Sequence, residues 1–222
     1  MEERKEIALL MSGGVDSAAL CVDLCETYSH VYPLYIRFGL RWEDAEVYWL
    51  SRFLKSVERA NLQSVTILDE PIDKVYGKHW SLAGEVPNRE SPDESVYLPG
   101  RNLLLVVKSS VWCRFKGVSR VALATLASNP FSDASNQFFA QLGLAIRIGL
   151  AMDFKILTPY ENVSKEEILR KYGNLPMQLT FSCLQPIGMR HCGACNKCAE
   201  RHRGFLAARQ IDPTDYSVDP GS

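Results

Sequence analysis

No apolar run in this 222-residue chain approaches the roughly 20 residues that a helix needs to cross a bilayer, which excludes a helical membrane protein. The first residues, Met1-Glu2-Glu3-Arg4-Lys5-Glu6, lack the apolar core of a secretory signal, so the expected location is the cytoplasm. Charge of one sign is not in excess either: 25 basic and 26 acidic side chains leave a formal net charge of −1. A dedicated nucleic-acid binder is normally basic, so nucleic acid is not the expected partner. Internal repeats and low-complexity segments are absent, which excludes solenoids and linker-rich architectures.

What remains is a composition ordinary for a globular protein, 46% hydrophobic and 23% charged, long enough for one α/β domain with an appendage. Apolar runs at 7–10, 31–36, 64–68, within 118–126 and at 155–157 read as strands. Between them, helical patterns cover 17–28, 42–60, 103–115 and 135–152, the third rich enough in Leu and Val to be a buried helix. Ser164, with Glu167 three residues on, predicts a capping box for a helix over 165–171. This alternation predicts a Rossmann-like five-stranded parallel sheet with helices on both faces, and ligands beyond the carboxyl ends of its strands. The α/β domain is expected over residues 1–172, a small metal-binding lobe over 173–206 and a loosely held tail over 207–222. Residues 69–98, with Pro71, Pro87 and Pro92, form the longest irregular region.

Ser12-Gly13-Gly14-Val15-Asp16-Ser17 follows the first strand and opens the first helix. Two glycines let the backbone approach an anion, and a helix start offers unpaired N–H groups and a positive dipole. Ser12 and Ser17 add hydroxyl donors, so the object held should be a phosphate or pyrophosphate. A Walker loop needs a Lys before its Ser or Thr, and Asp16 stands there instead. A carboxylate among phosphates implies either Mg²⁺ between them or a helix cap that never faces the ligand.

Of seven cysteines, Cys21, Cys25 and Cys113 lie in apolar helical patterns and read as small core residues. Cys183, Cys192, Cys195 and Cys198 form C-x8-C-x2-C-x2-C, a spacing suited to structural Zn²⁺ on four thiolates. A four-iron cluster is the rival, since C-x2-C-x2-C also occurs in ferredoxins. His191 and His202 could each replace one thiolate. Arg190, Lys197, Arg201 and Arg203 beside the cluster leave open a knuckle that binds RNA.

Together these blocks resemble the 7-cyano-7-deazaguanine synthase family of the N-type ATP pyrophosphatases. The resemblance rests on Ser12 to Ser17, Tyr97-Leu98-Pro99-Gly100-Arg101-Asn102, Ser164-Lys165-Glu166-Glu167-Ile168, Ser182-Cys183, and Cys192 to Arg201 with Gly204-Phe205. It spans nearly the whole chain. It implies an enzyme using ATP, Mg²⁺ and Zn²⁺, a homodimer, that adenylates a 7-carboxy-7-deazaguanine-like carboxylate and releases pyrophosphate. Ammonia or another amine then takes the acyl group, giving amide or nitrile. The implied nucleotide site comprises Ser12, Gly13, Gly14, Val15, Asp16, Ser17, Arg37, Gly39, Arg101, Asn102 and Lys165, with Asp16, Arg101 and Lys165 acting in catalysis. Tyr97, Phe131, Ser132 and Asp133 are the candidate substrate residues, Asp133 reading the guanine-type edge.

The chain departs from the family in two places. Gly39-Leu40-Arg41-Trp42 stands where the family carries Gly-Gln-Arg-His. The segment 127–135 is shorter than the family's loop and lacks its Cys-Arg. A divergent paralogue that attaches the deazapurine to a protein amine is one alternative. A tRNA thiolase and a non-catalytic nucleotide-binding module are the others.

Overall fold

The computed structural model describes residues 5–221. Five parallel strands form one sheet in the order β3-β2-β1-β4-β5. They are β1 (Glu6–Leu10), β2 (His30–Arg37), β3 (Thr66–Asp69), β4 (Arg120–Ala122) and β5 (Lys155–Leu157). The helices are α1 (Val15–Thr27), α2 (Glu43–Ser56), α3 (Asp73–Tyr76), α4 (Arg101–Lys116), α5 (Asn136–Leu150), α6 (Lys165–Tyr172) and α7 (Asn196–Ala208). Among the described residues no helix is long and apolar enough to cross a membrane.

The central strand shows why the sheet is covered twice. Ile7, Ala8, Leu9 and Leu10 are all buried, and successive side chains point to opposite faces. Ala8 and Leu10 pack with Leu34, Val106, Cys113 and Ile146 on the α4–α5 side. Ile7 and Leu9 pack with Ala18, Leu20, Ile168 and Phe205 on the α1–α6–α7 side. Cys21, Cys25 and Cys113 are buried core residues, as expected. Strand order reverses at β1, between β2 and β4, and in such sheets the crevice beyond that point is where ligands bind.

The capping box of α6 forms as expected: Glu167 N–H donates to Ser164 Oγ, and Ser164 N–H to Glu167 Oε2 at 2.8 Å. Helix α2 stops at Ser56, short of the expected residue 60. Asn61 donates to the carbonyls of Cys25 and Tyr28, both at 2.7 Å, and draws the chain back toward β2. Helix α4 is not buried all round. It buries Val106, Ser109, Ser110 and Cys113 but exposes Leu103, Val107, Val111 and Phe115, because the sheet covers only one of its faces.

The C-terminal region differs more. Helix α7 was not anticipated; its apolar Phe205 and Ala208 pack with Ile168 and Leu169 of α6. The tail is not loosely held. Ser217 N–H donates to His191 O at 2.8 Å and Val218 N–H to Cys192 O at 3.1 Å. Asp212, accepting from Thr214 and Tyr216, lies 3.8 Å from the buried Arg201 guanidinium. A buried cation needs a partner, and the tail brings it.

Candidate active site and metal centre

The glycine loop leaves β1 and enters α1 with Gly14 extended (φ −70°, ψ 165°) and no side chain capping the helix. Gly13 has φ +82°, and a Cβ there would lie 3.3 Å from Leu50 Cβ of α2, so both conformation and packing require glycine. Its carbonyl accepts Phe181 N–H at 2.8 Å, which ties the loop to the C-terminal region. Ser12 Oγ accepts Gly14 N–H at 3.4 Å, and Ser17 Oγ donates to Gly14 O at 3.1 Å.

Asp16 does not cap the helix. Its Oδ2 lies 3.3 Å from Lys165 Nζ at the start of α6, and its Oδ1 is buried without a hydrogen-bond partner. Lys165 also donates to Glu200 of α7 at 2.5 Å, and Glu200 accepts Lys197 as well. Burial alone would push the Lys165 ammonium down, but the Asp16 and Glu200 carboxylates outweigh it and hold it above its ordinary value. Burial would raise the Glu200 carboxyl, yet Lys165 and Lys197 hold it well below the usual carboxylate range.

Two cavities adjoin at this point. The larger, about 260 Å³, is lined by Asp16, Trp42, Glu46, Trp80, Tyr97, Arg101, Phe131, Asp133, Lys165, Phe181 and Glu200, among others. The smaller, about 200 Å³, has an apolar floor of Leu34 and Ile36 from β2, Leu105 from α4 and Leu123 just beyond β4. Ser12, Gly14, Asp16, Arg101, Asn102 and Asn129 line both. Arg101 has no carboxylate within ion-pair distance among the described residues, and its Nε is buried without a partner. It is a cation at the junction of the two cavities with no carboxylate partner there.

Aromatic rings wall the larger cavity. Trp42 stacks on Trp80 with centroids 5.8 Å apart, and Tyr97 on Phe131 at 5.0 Å. Asp133 is buried and faces the same cavity, but its Oδ2 accepts Asn102 N–H at 3.1 Å and its Oδ1 accepts the Asn102 amide at 3.4 Å. It therefore caps α4, whose N-cap Gly100 has no side chain to do so.

Glu46 is a residue that sequence reasoning missed. It sits one turn beyond Trp42 on α2, is 7% exposed, and accepts the Tyr35 hydroxyl at 2.6 Å. Burial pushes its carboxyl up to about 7, against the pull of Arg101 and the Tyr35 hydrogen bond. Its periodicity with Trp42 and Leu50 marked a core-facing stripe, and a carboxylate on that stripe was the available signal.

Four expected site residues lie outside both cavities: Gly13, which packs against α2, and three others. Arg37 pairs with Asp44 at 2.9 Å. Gly39 donates to Glu43 Oε2 at 2.9 Å, because Glu43 folds back over the turn that leads into α2. Ser132 is exposed, and its carbonyl accepts Ser135 Oγ. Ser12, Gly14, Val15, Asp16, Arg101, Asn102, Lys165, Tyr97, Phe131 and Asp133 line the larger cavity, and Ser17 lines the smaller.

The sulfurs of Cys183, Cys192, Cys195 and Cys198 lie within 4.8 Å of one another, and all four residues are buried. The Cys192–Cys198 and Cys183–Cys195 sulfur separations are 3.9 and 4.0 Å. Four sulfurs about 2.3 Å from one tetrahedral zinc would stand about 3.8 Å apart, so the cluster fits a single ion. A four-iron cube places each thiolate on its own corner, much further apart. Four backbone N–H groups, of Leu184, Gln185, Cys192 and Ala194, point at these sulfurs at 3.3–3.4 Å, which favours thiolates. Neither histidine joins: His191 Nε2 accepts Ser182 N–H at 3.1 Å, and His202 lies 3.6 Å from Asp212. The nearby cations are likewise engaged: Arg190 with Asp215, Arg201 with Thr180, Met177 and Thr214, Arg203 with Asp93, and Lys197 with Glu200.

Residues 6–209 match the family model described as queuosine biosynthesis protein QueC. The chain is 25% identical over 213 residues to 7-cyano-7-deazaguanine synthase 1 of Desulfitobacterium hafniense (strain Y51), covering 93% of this chain and 94% of that one. It is 27% identical to the 7-cyano-7-deazaguanine synthase of Koribacter versatilis (strain Ellin345), over 94% of this chain and 92% of the relative. The enzyme of the same name from Pyrococcus furiosus is 26% identical, over 98% of this chain and 99% of its own. With a family model matched from the first strand to the end of α7, the chain belongs to the queuosine biosynthesis protein QueC family.

Proposed function

We propose that this family member is an ATP-dependent carbon–nitrogen ligase that adenylates a 7-carboxy-7-deazaguanine-like carboxylate, releases pyrophosphate and passes the acyl group to ammonia. The observation that carries this reading is the wall shared by the two cavities, where Asp16 and Arg101 stand beside the glycine loop. Adenosine fits the smaller, apolar-floored cavity. The phosphates lie along Ser12 to Ser17 at the start of α1, where helix N–H groups and dipole favour anions. The planar carboxylate substrate enters the larger cavity between the Trp42–Trp80 and Tyr97–Phe131 pairs, its carboxylate toward Arg101.

Attack by that carboxylate on the α-phosphorus expels pyrophosphate. Lys165, held in place by Asp16 and Glu200, is a fixed point charge for the phosphates. The unpartnered Asp16 Oδ1 is the group that would hold Mg²⁺, which neutralises phosphate charge when bound. Asp133, already oriented by the start of α4, offers its remaining lone pairs to adjacent N–H donors of a guanine-type edge. Zinc on the four cysteines holds the region that contributes Phe181, Ser182 and Glu200 to the cavity. A second copy of the chain is the proposed partner, covering Leu103, Val107 and Val111 on α4 and Leu144 and Ile148 on the neighbouring α5. Sedimentation of Val111→Asp against the parent protein tests it.

The function itself is tested by mass spectrometry of products from ATP, Mg²⁺, 7-carboxy-7-deazaguanine and ammonia. Amide or nitrile, with AMP and pyrophosphate, is expected. ADP as the main nucleotide product, or no dependence on the carboxylate, would overturn the reading.

A further inference from the structure

The adenylation reading leaves one chemical task without a residue. Ammonia that attacks an acyl adenylate must lose one proton on the way to the amide. Asp16 and Glu200 are committed to Lys165, and Asp133 to the start of α4. Glu46 is the remaining carboxyl on the wall of the larger cavity. One of its oxygens accepts Tyr35 OH at 2.6 Å, while Oε1 has no hydrogen-bond partner among the described residues. Tyr35 lines the smaller cavity, so the pair bridges the wall between the two.

We propose that Glu46, held by Tyr35, is the general base that takes the proton from the attacking amine. The inference rests on the adenylation reading above. In the step, the amine nitrogen bonds to the acyl carbon, the bond from that carbon to the phosphoryl oxygen breaks, and AMP leaves with the electron pair. The amine proton goes to Glu46 Oε1. No oxidant, reductant or further reactant is needed.

The surroundings support this role. Glu46 faces Tyr35 of β2, Glu43 of its own helix and Arg101 of α4. Burial and Glu43 raise its pKa, while Arg101 and the Tyr35 hydroxyl lower it, and the balance is about 7. A base poised near working pH is half in its acting form and still accepts a proton readily. A carboxylate at its ordinary pKa would be a far weaker base.

The test separates the half reactions. Exchange of labelled pyrophosphate into ATP, dependent on 7-carboxy-7-deazaguanine, reports adenylation alone. Ammonia-dependent amide formation reports both steps. Hydroxylamine, which is neutral at pH 7, traps the adenylate as hydroxamate without a base. Glu46→Gln keeps the shape and an acceptor for Tyr35. It should reduce amide formation roughly 100-fold or more relative to exchange, within the usual 10²–10⁴ for general-base catalysis. Hydroxamate formation should follow exchange, not amide. Tyr35→Phe removes a hydrogen bond that favours the carboxylate, so the rise of amide formation with pH should move to higher pH.

An equal fall in exchange, hydroxamate and amide for Glu46→Gln, with an unshifted profile for Tyr35→Phe, would overturn the proposal and leave Glu46 a structural residue. Absence of exchange in the parent protein would instead overturn the adenylation reading, and the proposal with it.

Discussion

Truncation of the chain after Gln210 should cost far more than the loss of twelve terminal residues suggests. Arg201 is 2% exposed, and its guanidinium donates to Thr180 Oγ1, Met177 O and Thr214 Oγ1 at 2.8, 2.9 and 2.6 Å. The carboxylate within ion-pair distance is Asp212 at 3.8 Å, itself 8% exposed at its side chain. At an effective dielectric constant near 20, unit charges at this separation attract by about 4 kcal/mol. Removing one partner of a buried pair costs roughly 3–5 kcal/mol, because the other charge is left uncompensated. For a chain of this size, 1 kcal/mol moves the melting temperature by about 2–4 °C, so a fall of roughly 6–20 °C is expected. Asp212→Asn isolates the charge, since its side-chain oxygen still accepts a hydrogen bond. It should lose most of the same stability, and a stop after Ser217 should lose little of it. Thermal and denaturant unfolding of the four proteins measures this. A truncated protein melting within about 2 °C of the full chain would show that Arg201 needs no counter-charge.

Four further outcomes follow from the site. Purified protein should carry one zinc per chain by elemental analysis, and Cys195→Ser should lower stability and lose the ion, since structural zinc contributes folding free energy; stoichiometric iron would refute the assignment. Asp16→Asn should cripple AMP and pyrophosphate formation, because its carboxylate faces Lys165 and the cavity and caps nothing; unchanged turnover by nucleotide chromatography would remove it from the mechanism. Asp133→Ala should weaken carboxylate binding roughly ten-fold to a hundred-fold, the equivalent of a charged hydrogen bond of about 1.5–3 kcal/mol. Titration calorimetry that finds lost ATP binding with unchanged carboxylate binding would show that its only task is to cap α4. Glu200, whose carboxyl is held below its ordinary range, stabilises the fold above the unfolded pKa of about 4.3, and that contribution is lost as pH falls. The stability gap between the parent protein and Glu200→Gln should therefore narrow below about pH 4, and a gap that stays constant in acid denaturation curves would contradict the ion-pair account.

The parts legible in sequence were those set by local rules. Alternating apolar runs fixed five strands, two glycines before Asp16 fixed the loop, and the three spacings among four cysteines fixed the cysteine cluster. What the sequence concealed depended on contacts between distant segments. Helix α7 was hidden because Asn196 to Ala208 mixes metal ligands, cations and a glycine, and its apolar face becomes visible only against Ile168 and Leu169. The tail looked loose because its prolines and polar residues make no core, whereas its real partners are one buried arginine and the backbone of His191 and Cys192. Arg37 and Gly39 lie outside the cavities because the start of α2 engages both, Asp44 pairing with the Arg37 guanidinium and Glu43 accepting Gly39 N–H.

The same dependence on distant contacts explains how the cysteine cluster bears on the glycine loop about 170 residues earlier. Gly13 O accepts Phe181 N–H at 2.8 Å, and Lys165 spans Asp16 and Glu200. On the other side, Arg89 N–H donates to Ala194 O and Asn196 N–H to Pro87 O, both at 3.0 Å, which fixes the irregular segment that carries Trp80 and Tyr97. The cysteine cluster thus stands between the loop expected to hold phosphate and the segment that supplies half of the aromatic wall. An ion that only stabilised the fold could sit anywhere in the core. Placed here, its loss should loosen both walls of the larger cavity together, so binding of the carboxylate should weaken at chelator concentrations that leave the sheet intact by circular dichroism.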